Sequence, residues 1–191
     1  MDIGIFPIIT AFIALLIVMD PFSSVPVFIS LTKKYSPKKR MEAAQVASLV
    51  ATGMLFGFMI AGPLLLSIMG ISMSSFQIGG GILLLLIAIS FALGINYGKE
   101  SDTPIEAVII GVPLLSGPGA MLATVLLSGT LGAVNVAIAA ALSCLACYLF
   151  LFFSGVLYSK IGRNGLEIVS RVMGVLLAGF AVEMIRKGFG M

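Results

Sequence analysis

Histidine and tryptophan are absent from the sequence, and cysteine occurs only at Cys144 and Cys147. Without histidine, the usual zinc sites lack a common ligand, and the side chain best suited to proton transfer near neutral pH is missing. No Gly-Lys-Ser or Gly-Lys-Thr phosphate-binding motif occurs either, which excludes ATP-driven transport by this chain. We therefore expect no enzymatic activity, no metal site and no cofactor.

Charged residues are also scarce. They make up 10% of the 191 residues, whereas hydrophobic residues make up 60%, and soluble domains carry about 25% charged residues. A soluble chain of this length could not bury so much apolar surface in its own core, but a lipid bilayer accommodates it. The net charge of +3 is small, so nucleic acid is not an expected partner. The composition predicts a single transmembrane domain over residues 1–191.

Polar, glycine and proline residues divide the apolar sequence into six predicted spans. These spans cover residues 3–32, 42–69, 74–96, 105–129, 133–158 and 166–187. A transmembrane helix needs about 20 residues, so a first span of about 30 residues is too long for one straight helix. Its second half contains Pro21 and Pro26, and a proline removes a backbone donor and clashes with the preceding turn. We therefore predict an interruption of the first helix at these prolines.

Basic residues in the connections predict the orientation of the chain. The loop 33–41 contains the largest cluster, Lys33, Lys34, Lys38, Lys39 and Arg40. The positive-inside rule makes this loop cytoplasmic and, with six spans, leaves both termini outside. The loops 97–104 and 159–165, which also carry basic residues, then lie inside. The predicted location is the plasma (inner) membrane.

The two halves of the chain repeat one spacing of prolines. An offset of 92 positions aligns Pro21 with Pro113, Pro26 with Pro118 and Ser24 with Ser116. Since each half has three spans, the second half must cross the membrane in the opposite sense, as in the inverted repeats of secondary transporters. The predicted fold is all-α, with six transmembrane helices in two inverted repeats of three, about 1–96 and about 105–191. Helices 1 and 4 are predicted to be discontinuous near the midplane.

The two interruptions are the predicted functional site. Backbone groups of a broken helix need protein or water as partners, because lipid offers none. The half-helices after both interruptions point their positive N-terminal ends toward the midplane, which favours a substrate carboxylate. The predicted helix-break residues are Pro21, Pro26, Pro113 and Pro118. The predicted substrate-binding residues are Asp20, Ser23, Ser24, Ser116, Gly117 and Gly119.

Asp20 is the only acidic residue deep within an apolar span. Intramembrane carboxylates are costly and often functional, so Asp20 is a candidate to bind a substrate amine, Na⁺ or H⁺. Aspartate is also a preferred N-cap and proline a preferred first helical residue, so Asp20 and Pro21 fit a capping role equally well. The sequence leaves both roles open. Cys144 and Cys147 lie one turn apart in the fifth span, which favours packing over redox chemistry.

Two segments resemble signatures of a known family. The segment Met19-Asp20-Pro21-Phe22 with Pro26-Val27-Phe28, followed by a basic loop, resembles the first-helix signature of the MarC family, also called the neutral amino acid transporter (SnatA-like) family. The segment Pro113-Leu114-Leu115-Ser116-Gly117-Pro118-Gly119-Ala120 resembles its fourth-helix signature. Residues 80–86 and 171–174 are also similar to the family, whose third helix usually opens with a basic residue where this chain has Gln77. The resemblance covers nearly the whole chain.

The resemblance implies an inner-membrane secondary transporter whose substrates are small neutral amino acids such as glycine and alanine. Together with the interruptions, it predicts alternating-access transport coupled to H⁺ or Na⁺. Export of drugs or other small metabolites is one alternative, and a transmembrane thiol-disulfide carrier is another. The sequence leaves open the direction of transport and the association of the chain into homo-oligomers.

Overall fold

The computed structural model describes residues 3–94 and 117–190. Every regular element in this part of the chain is an α-helix. The helices are α1 (Ile5–Met19), α2 (Pro21–Leu31), α3 (Pro37–Ile68), α4 (Met73–Leu93), α5 (Pro118–Leu131), α6 (Ala133–Phe152) and α7 (Ser154–Gly188). The predicted loop 97–104 and the first part of the predicted fourth span lie outside the described residues.

Several helices are suited to a bilayer. Five stretches are long and apolar enough to cross a membrane, namely Ile5–Ile29, Pro37–Ile68, Met73–Leu93, Ala133–Phe152 and Ser154–Gly188. α5 is apolar but shorter, with 14 residues. Large apolar side chains such as Phe6, Ile60 and Leu64 are exposed on these helices, as expected where the surrounding solvent is hydrocarbon. The prediction of an all-α fold with membrane-spanning helices is confirmed for the described residues.

A single residue interrupts the first apolar stretch. α1 ends at Met19 and α2 begins at Pro21, and Asp20 between them has left-handed backbone angles of φ 35° and ψ 70°. An α-helix cannot continue through these angles. The sequence suggested that both prolines interrupt the helix, but Pro26 lies inside α2. Pro26 removes one backbone hydrogen bond, yet its fixed φ is close to the helical value, so α2 continues past it.

Two connections are shorter in the structure than in the sequence-based prediction. α3 begins at Pro37 with Ser36 as its N-cap, so it includes the end of the predicted loop 33–41. The predicted loop 159–165 lies within α7, where Gly162 alone has non-helical angles of φ 71° and ψ 170°. Only glycine adopts this conformation readily. One residue is therefore sufficient to end one helical stretch and start the next.

α4 and α7 form the most extensive helix pair among the described residues. Gly174 of α7 lies so close to α4 that an added methyl group would be 2.9 Å from the Ala88 carbonyl oxygen and 2.6 Å from the Ala92 nitrogen. Small residues allow helix backbones to approach in this way, and such contacts are a main source of helix association in membranes.

The same contact occurs a second time with the two helices exchanged. A methyl group on Gly81 of α4 would be 2.9 Å from the Ala181 carbonyl oxygen and 3.2 Å from the Ile185 nitrogen of α7. An offset of 93 positions relates the two contacts, because it aligns Gly81 with Gly174, Ala88 with Ala181 and Ala92 with Ile185. The α4–α7 pair is therefore close to symmetric about its centre.

The remaining helices gather around α5 and the interruption at Asp20. α1 packs mainly against α6, whereas α2, beyond the interruption, packs mainly against α7. α5 contacts α1, α3, α4 and α6. Much of the shared core is alanine, including Ala11, Ala14, Ala47, Ala51, Ala120, Ala123, Ala139 and Ala140. These small side chains bring the helix backbones close together around Asp20 and the start of α5.

Replacing Gly174 by alanine is expected to destabilise the α4–α7 pair, because the methyl group would overlap backbone atoms of α4. We expect a loss of about 1–3 kcal/mol, measured as a lower thermal unfolding midpoint of the purified protein in detergent. Gly179→Ala is the matched control, since the methyl position of Gly179 on the same helix has no atom within 4 Å. Alanine at Gly179 should be neutral or slightly stabilising, and equal losses in both variants would contradict the close packing.

Candidate functional site

Asp20 closes the end of α1. Its backbone N–H donates hydrogen bonds to the carbonyl oxygens of Leu16 at 3.2 Å and Ile17 at 3.3 Å. Aspartate is one of the few residues other than glycine that adopts left-handed angles at modest cost. The residue is 1% exposed, so the interruption of the helix lies inside the protein and away from the exposed apolar surface.

Asp20 also opens α2. Its Oδ1 accepts a hydrogen bond from the Ser23 N–H at 3.4 Å, which is the geometry of an N-cap. The hydroxyl groups of Ser23 and Ser24 donate to the Asp20 carbonyl oxygen at 3.2 and 3.1 Å. The capping role predicted for Asp20 is therefore present in the geometry, and both serine hydroxyls bond to the backbone of the same residue.

The second carboxylate oxygen of Asp20 reaches across to another helix. Ser170 of α7 is buried, and its hydroxyl donates a hydrogen bond to Asp20 Oδ2. A contact between residues 150 positions apart is not visible in the sequence, which is why Ser170 is not among the predicted site residues. The closest feature in the sequence is the segment 171–174, which is similar to the MarC family and begins one residue after Ser170.

The start of α5 lies beside the end of α1. Gly117 is the N-cap of α5 and Pro118 its first residue. A methyl group added to the next residue, Gly119, would be 3.4 Å from Val18 Cγ1. Val18 lies two residues before Asp20, so the Cα atoms of these residues are at most two steps of about 3.8 Å apart. The structure thus packs the predicted site residue Gly119 against the last turn of α1, two residues before Asp20.

Two of the predicted site residues, Pro113 and Ser116, lie outside the described residues. Of the four predicted helix-break prolines, Pro21 and Pro118 are the first residues of α2 and α5, and Pro26 lies within α2. α2 and α5 therefore begin at residues that the predicted repeat does not align, because Pro118 aligns with Pro26 and not with Pro21.

A thiol lies beside the interruption, although both cysteines belong to the fifth predicted span. The Sγ atom of Cys147 on α6 is 4.0 Å from Sδ of Met19, the residue before Asp20. Cys144 and Cys147 are both free and buried. This contact arises because α6 packs along α1, which brings the fifth predicted span next to the first.

The ion pairs among the described residues all lie on α7 and leave Asp20 without a cationic partner. Arg171 pairs with Glu167 at 2.6 Å, and Glu183 pairs with Arg186 at 3.0 Å and with Lys187 at 3.8 Å. All five side chains are substantially exposed. The described residues also contain no group of three or more Cys, Asp or Glu side chains that could hold a metal ion. The Asp20 carboxylate accepts hydrogen bonds from neutral groups, among them the Ser170 hydroxyl and the Ser23 backbone amide.

Comparison with known proteins places the chain among its relatives. A family model described as MarC family integral membrane protein matches residues 6–191. The chain is 36% identical to a UPF0056 membrane protein of Aquifex aeolicus, over 94% of this chain and 91% of the relative. It is 35% identical to a UPF0056 membrane protein of Methanocaldococcus jannaschii, over 98% and 97%, and 28% identical to the UPF0056 membrane protein YvbG of Bacillus subtilis, over 95% and 93%. No solved structure matches the chain.

The apolar helices and these relatives define an integral membrane protein with several transmembrane helices. The chain belongs to the MarC family, which confirms the resemblance identified from its first-helix and fourth-helix segments.

The Ser170–Asp20 contact predicts a measurable loss of stability on Ser170→Ala. Removing the hydroxyl leaves a buried carboxylate oxygen without its partner, which typically costs about 1–3 kcal/mol. The thermal unfolding midpoint in detergent should fall accordingly. Ser159→Ala is the control, because Ser159 lies on the same helix, is exposed, and bonds only to the Val156 carbonyl oxygen in the structure. A Ser170→Ala variant as stable as the control would contradict the contact.

Proposed function

We propose that the protein is a secondary active transporter that carries small neutral amino acids, such as glycine and alanine, by alternating access. The observation that carries this proposal is the buried carboxylate of Asp20 at the interruption between α1 and α2, with the start of α5 packed against Val18 in the last turn of α1. Interrupted helices that converge on a polar centre are the usual binding architecture of secondary transporters.

The charges at this centre complement an amino acid zwitterion. The N-terminal ends of α2 and α5 carry the positive ends of helix dipoles, which favour the substrate carboxylate. The C-terminal end of α1 carries a negative dipole end and lies next to the Asp20 carboxylate, and both favour an ammonium group. Asp20, Ser23, Ser24, Gly117 and Gly119 would form the binding site, together with the predicted residue Ser116.

Alternating access requires parts that move relative to each other, and an inverted repeat provides two related parts. The reciprocal contacts of Gly81 and Gly174 support such a repeat, because exchanging α4 with α7 reproduces them at an offset of 93 positions. In this proposal the chain has six transmembrane helices, with helices 1 and 4 discontinuous near the midplane. The basic loop 33–41 is cytoplasmic and both termini are outside the plasma (inner) membrane.

Transport against a gradient needs a coupling ion, and H⁺ and Na⁺ are the candidates. Asp20 is the group that would bind either ion, since it is the one acidic residue deep within an apolar span. Bound H⁺ would make Asp20 a hydrogen-bond donor, whereas Na⁺ would need oxygen ligands such as Asp20 Oδ2 and the Ser170 hydroxyl. Export of drugs or other small metabolites would use the same centre with a larger ligand.

Asp20→Asn is expected to abolish concentrative uptake of glycine into proteoliposomes, because the amide can hold neither an ammonium group nor a coupling ion in the same way. Ser24→Ala should reduce uptake about 10-fold, since it removes one hydroxyl from the centre and a hydrogen bond of about 1 kcal/mol or more. Uptake of labelled glycine with imposed pH and Na⁺ gradients measures both effects and identifies the ion.

Glu42→Gln is the control for Asp20→Asn, because Glu42 is an exposed acid near the start of α3. Each variant must elute as a single species of wild-type size in detergent, so that misfolding is separated from loss of transport. Wild-type glycine uptake by Asp20→Asn would overturn the proposed site. Competition of labelled alanine uptake by drugs, but not by amino acids, would favour the export of larger compounds.

A thiol-disulfide carrier is a second candidate, which the position of Cys147 beside Met19 favours. The burial of both cysteines opposes it, because reactive thiols are usually accessible and lie in electropositive surroundings. A Cys144→Ser/Cys147→Ser variant is expected to retain wild-type amino acid uptake. The thiol-disulfide carrier would be supported if this folded variant lost uptake and the wild type formed a disulfide under oxidising conditions.

A further inference from the structure

Four exposed lysines lie around the connection between α2 and α3. Lys33 and Lys34 belong to the connection, and Lys38 and Lys39 belong to the first turn of α3. We call these four residues the lysine cluster. The ion pairs among the described residues all lie on α7, so none of the four has an acidic partner in this part of the chain. Even Glu42, which is exposed one turn further along α3, forms no ion pair with them.

The lysine cluster is electrostatically unfavourable for the helix that carries half of it. The N-terminal end of an α-helix is the positive end of its dipole, where acidic residues stabilise and cations destabilise. The first turn of α3 has no acidic residue and contains Lys38, Lys39 and Arg40. Its N-cap, Ser36, accepts a hydrogen bond from the Lys39 N–H but adds no negative charge. The positive potentials of the helix end and of the lysines therefore add, and a bound anion would relieve both.

Arg40 differs from the lysines because it has a partner within the protein. Its Nη2 donates a hydrogen bond to the Thr32 carbonyl oxygen at 3.2 Å. Thr32 directly follows α2, where the negative end of that helix dipole attracts a cation. The contact joins the end of α2 to the start of α3. The charge of Arg40 is thus explained by the fold, whereas the charges of the lysine cluster are not.

The lysine cluster lies where two apolar stretches meet the edge of the membrane. The stretch Ile5–Ile29 ends just before it, and the stretch Pro37–Ile68 begins within it. Further along α3, Met41, Val46 and Leu49 are exposed apolar side chains. Basic groups at the end of a span meet the phospholipid headgroups, and the apolar side chains beyond them meet the acyl chains. A phospholipid with a negative headgroup is complementary to both parts of this surface.

We infer that the lysine cluster, at the N-terminal end of α3, is a binding site for the headgroup of an anionic phospholipid such as phosphatidylglycerol. A soluble anion would meet the same charges but would leave the exposed apolar side chains of α3 without a partner. The inference goes beyond the proposed function and does not depend on it, because lipid binding is measured without transport.

The absence of tryptophan from the chain makes a local measurement of lipid binding possible. Met41 is exposed next to the lysine cluster, so Met41→Trp in the full chain, reconstituted into phosphatidylcholine membranes, detects a bound brominated lipid by quenching of its fluorescence. Each basic residue near a membrane surface strengthens the association with anionic lipid by about five-fold. We therefore expect brominated phosphatidylglycerol to bind at least about 10-fold more strongly than brominated phosphatidylcholine.

Lys38→Gln/Lys39→Gln in the same reporter chain should reduce this preference by at least about 5-fold. Arg186→Gln/Lys187→Gln is the matched control, because it removes the same charge from two exposed residues at the far end of α7, and it should keep the preference. Added sodium chloride should weaken the preference of the wild-type cluster, since salt screens exposed charges.

The thermal unfolding midpoint in a neutral detergent distinguishes a lipid site from a structural role of the lysines. Without anionic lipid, Lys38→Gln/Lys39→Gln should be as stable as the wild type or more stable, because it removes like charges from the positive end of α3. A lower midpoint would assign the lysines to the fold and overturn the inference. Lys33→Gln/Lys34→Gln replaces this variant if it does not give a single folded species.

Two results of the quenching experiment would also overturn the inference, namely equal binding of the two brominated lipids and an unchanged preference in Lys38→Gln/Lys39→Gln. A third is displacement of brominated phosphatidylglycerol by inorganic phosphate beyond the effect of sodium chloride at the same ionic strength. That result would assign the site to a soluble anion.

Discussion

The interruption at Asp20 is the constraint on which the rest of the structure depends. A helix that stops inside an apolar environment leaves backbone donors and acceptors without partners, and lipid cannot supply them. Asp20 supplies both kinds of partner, since its N–H bonds to α1 while its carbonyl and carboxylate oxygens bond to the start of α2. Pro21 further reduces the number of backbone donors that need a partner, because it has no N–H. One residue therefore makes the interruption tolerable and leaves a carboxylate inside the protein.

α7 connects this interruption to the rest of the protein. Ser170 bonds to Asp20, and Gly174, four residues later and thus on the same face of the helix, packs against the backbone of α4. Any change in the hydrogen bonding of Asp20 therefore acts directly on the helix that forms the closest pair with α4. Since α4 also contributes Leu84 and Ile87 next to Gly119, the α4–α7 pair contacts both the interruption at Asp20 and the start of α5.

The sequence predicted the features that depend on composition and local chemistry. Apolar runs predicted the helices, and the aspartate and proline at positions 20 and 21 predicted both the interruption and its cap. The sequence did not predict the features that depend on tertiary contacts. Ser170 and Cys147 reach the interruption through the packing of α7 and α6, and no periodicity reveals such pairs. The predicted loop 159–165 is replaced by Gly162 alone, because the non-helical backbone angles of this one residue are enough to turn the chain. Pro26 stays within α2 because its fixed φ is already that of a helix.

The interruption at Asp20 and the start of α5 are chemically unequal, and this difference supports the different roles proposed for them. The predicted repeat aligns Asp20 with Val112, so the second half of the chain has no carboxylate at the equivalent position. The first interruption therefore combines a carboxylate with the negative end of α1, and both attract a cation. The start of α5 offers Gly117, Gly119 and the positive end of a helix dipole, which attract an anion. A symmetric pair of sites would bind two like charges, whereas the arrangement in the proposed function would bind one molecule that carries both signs in a single orientation.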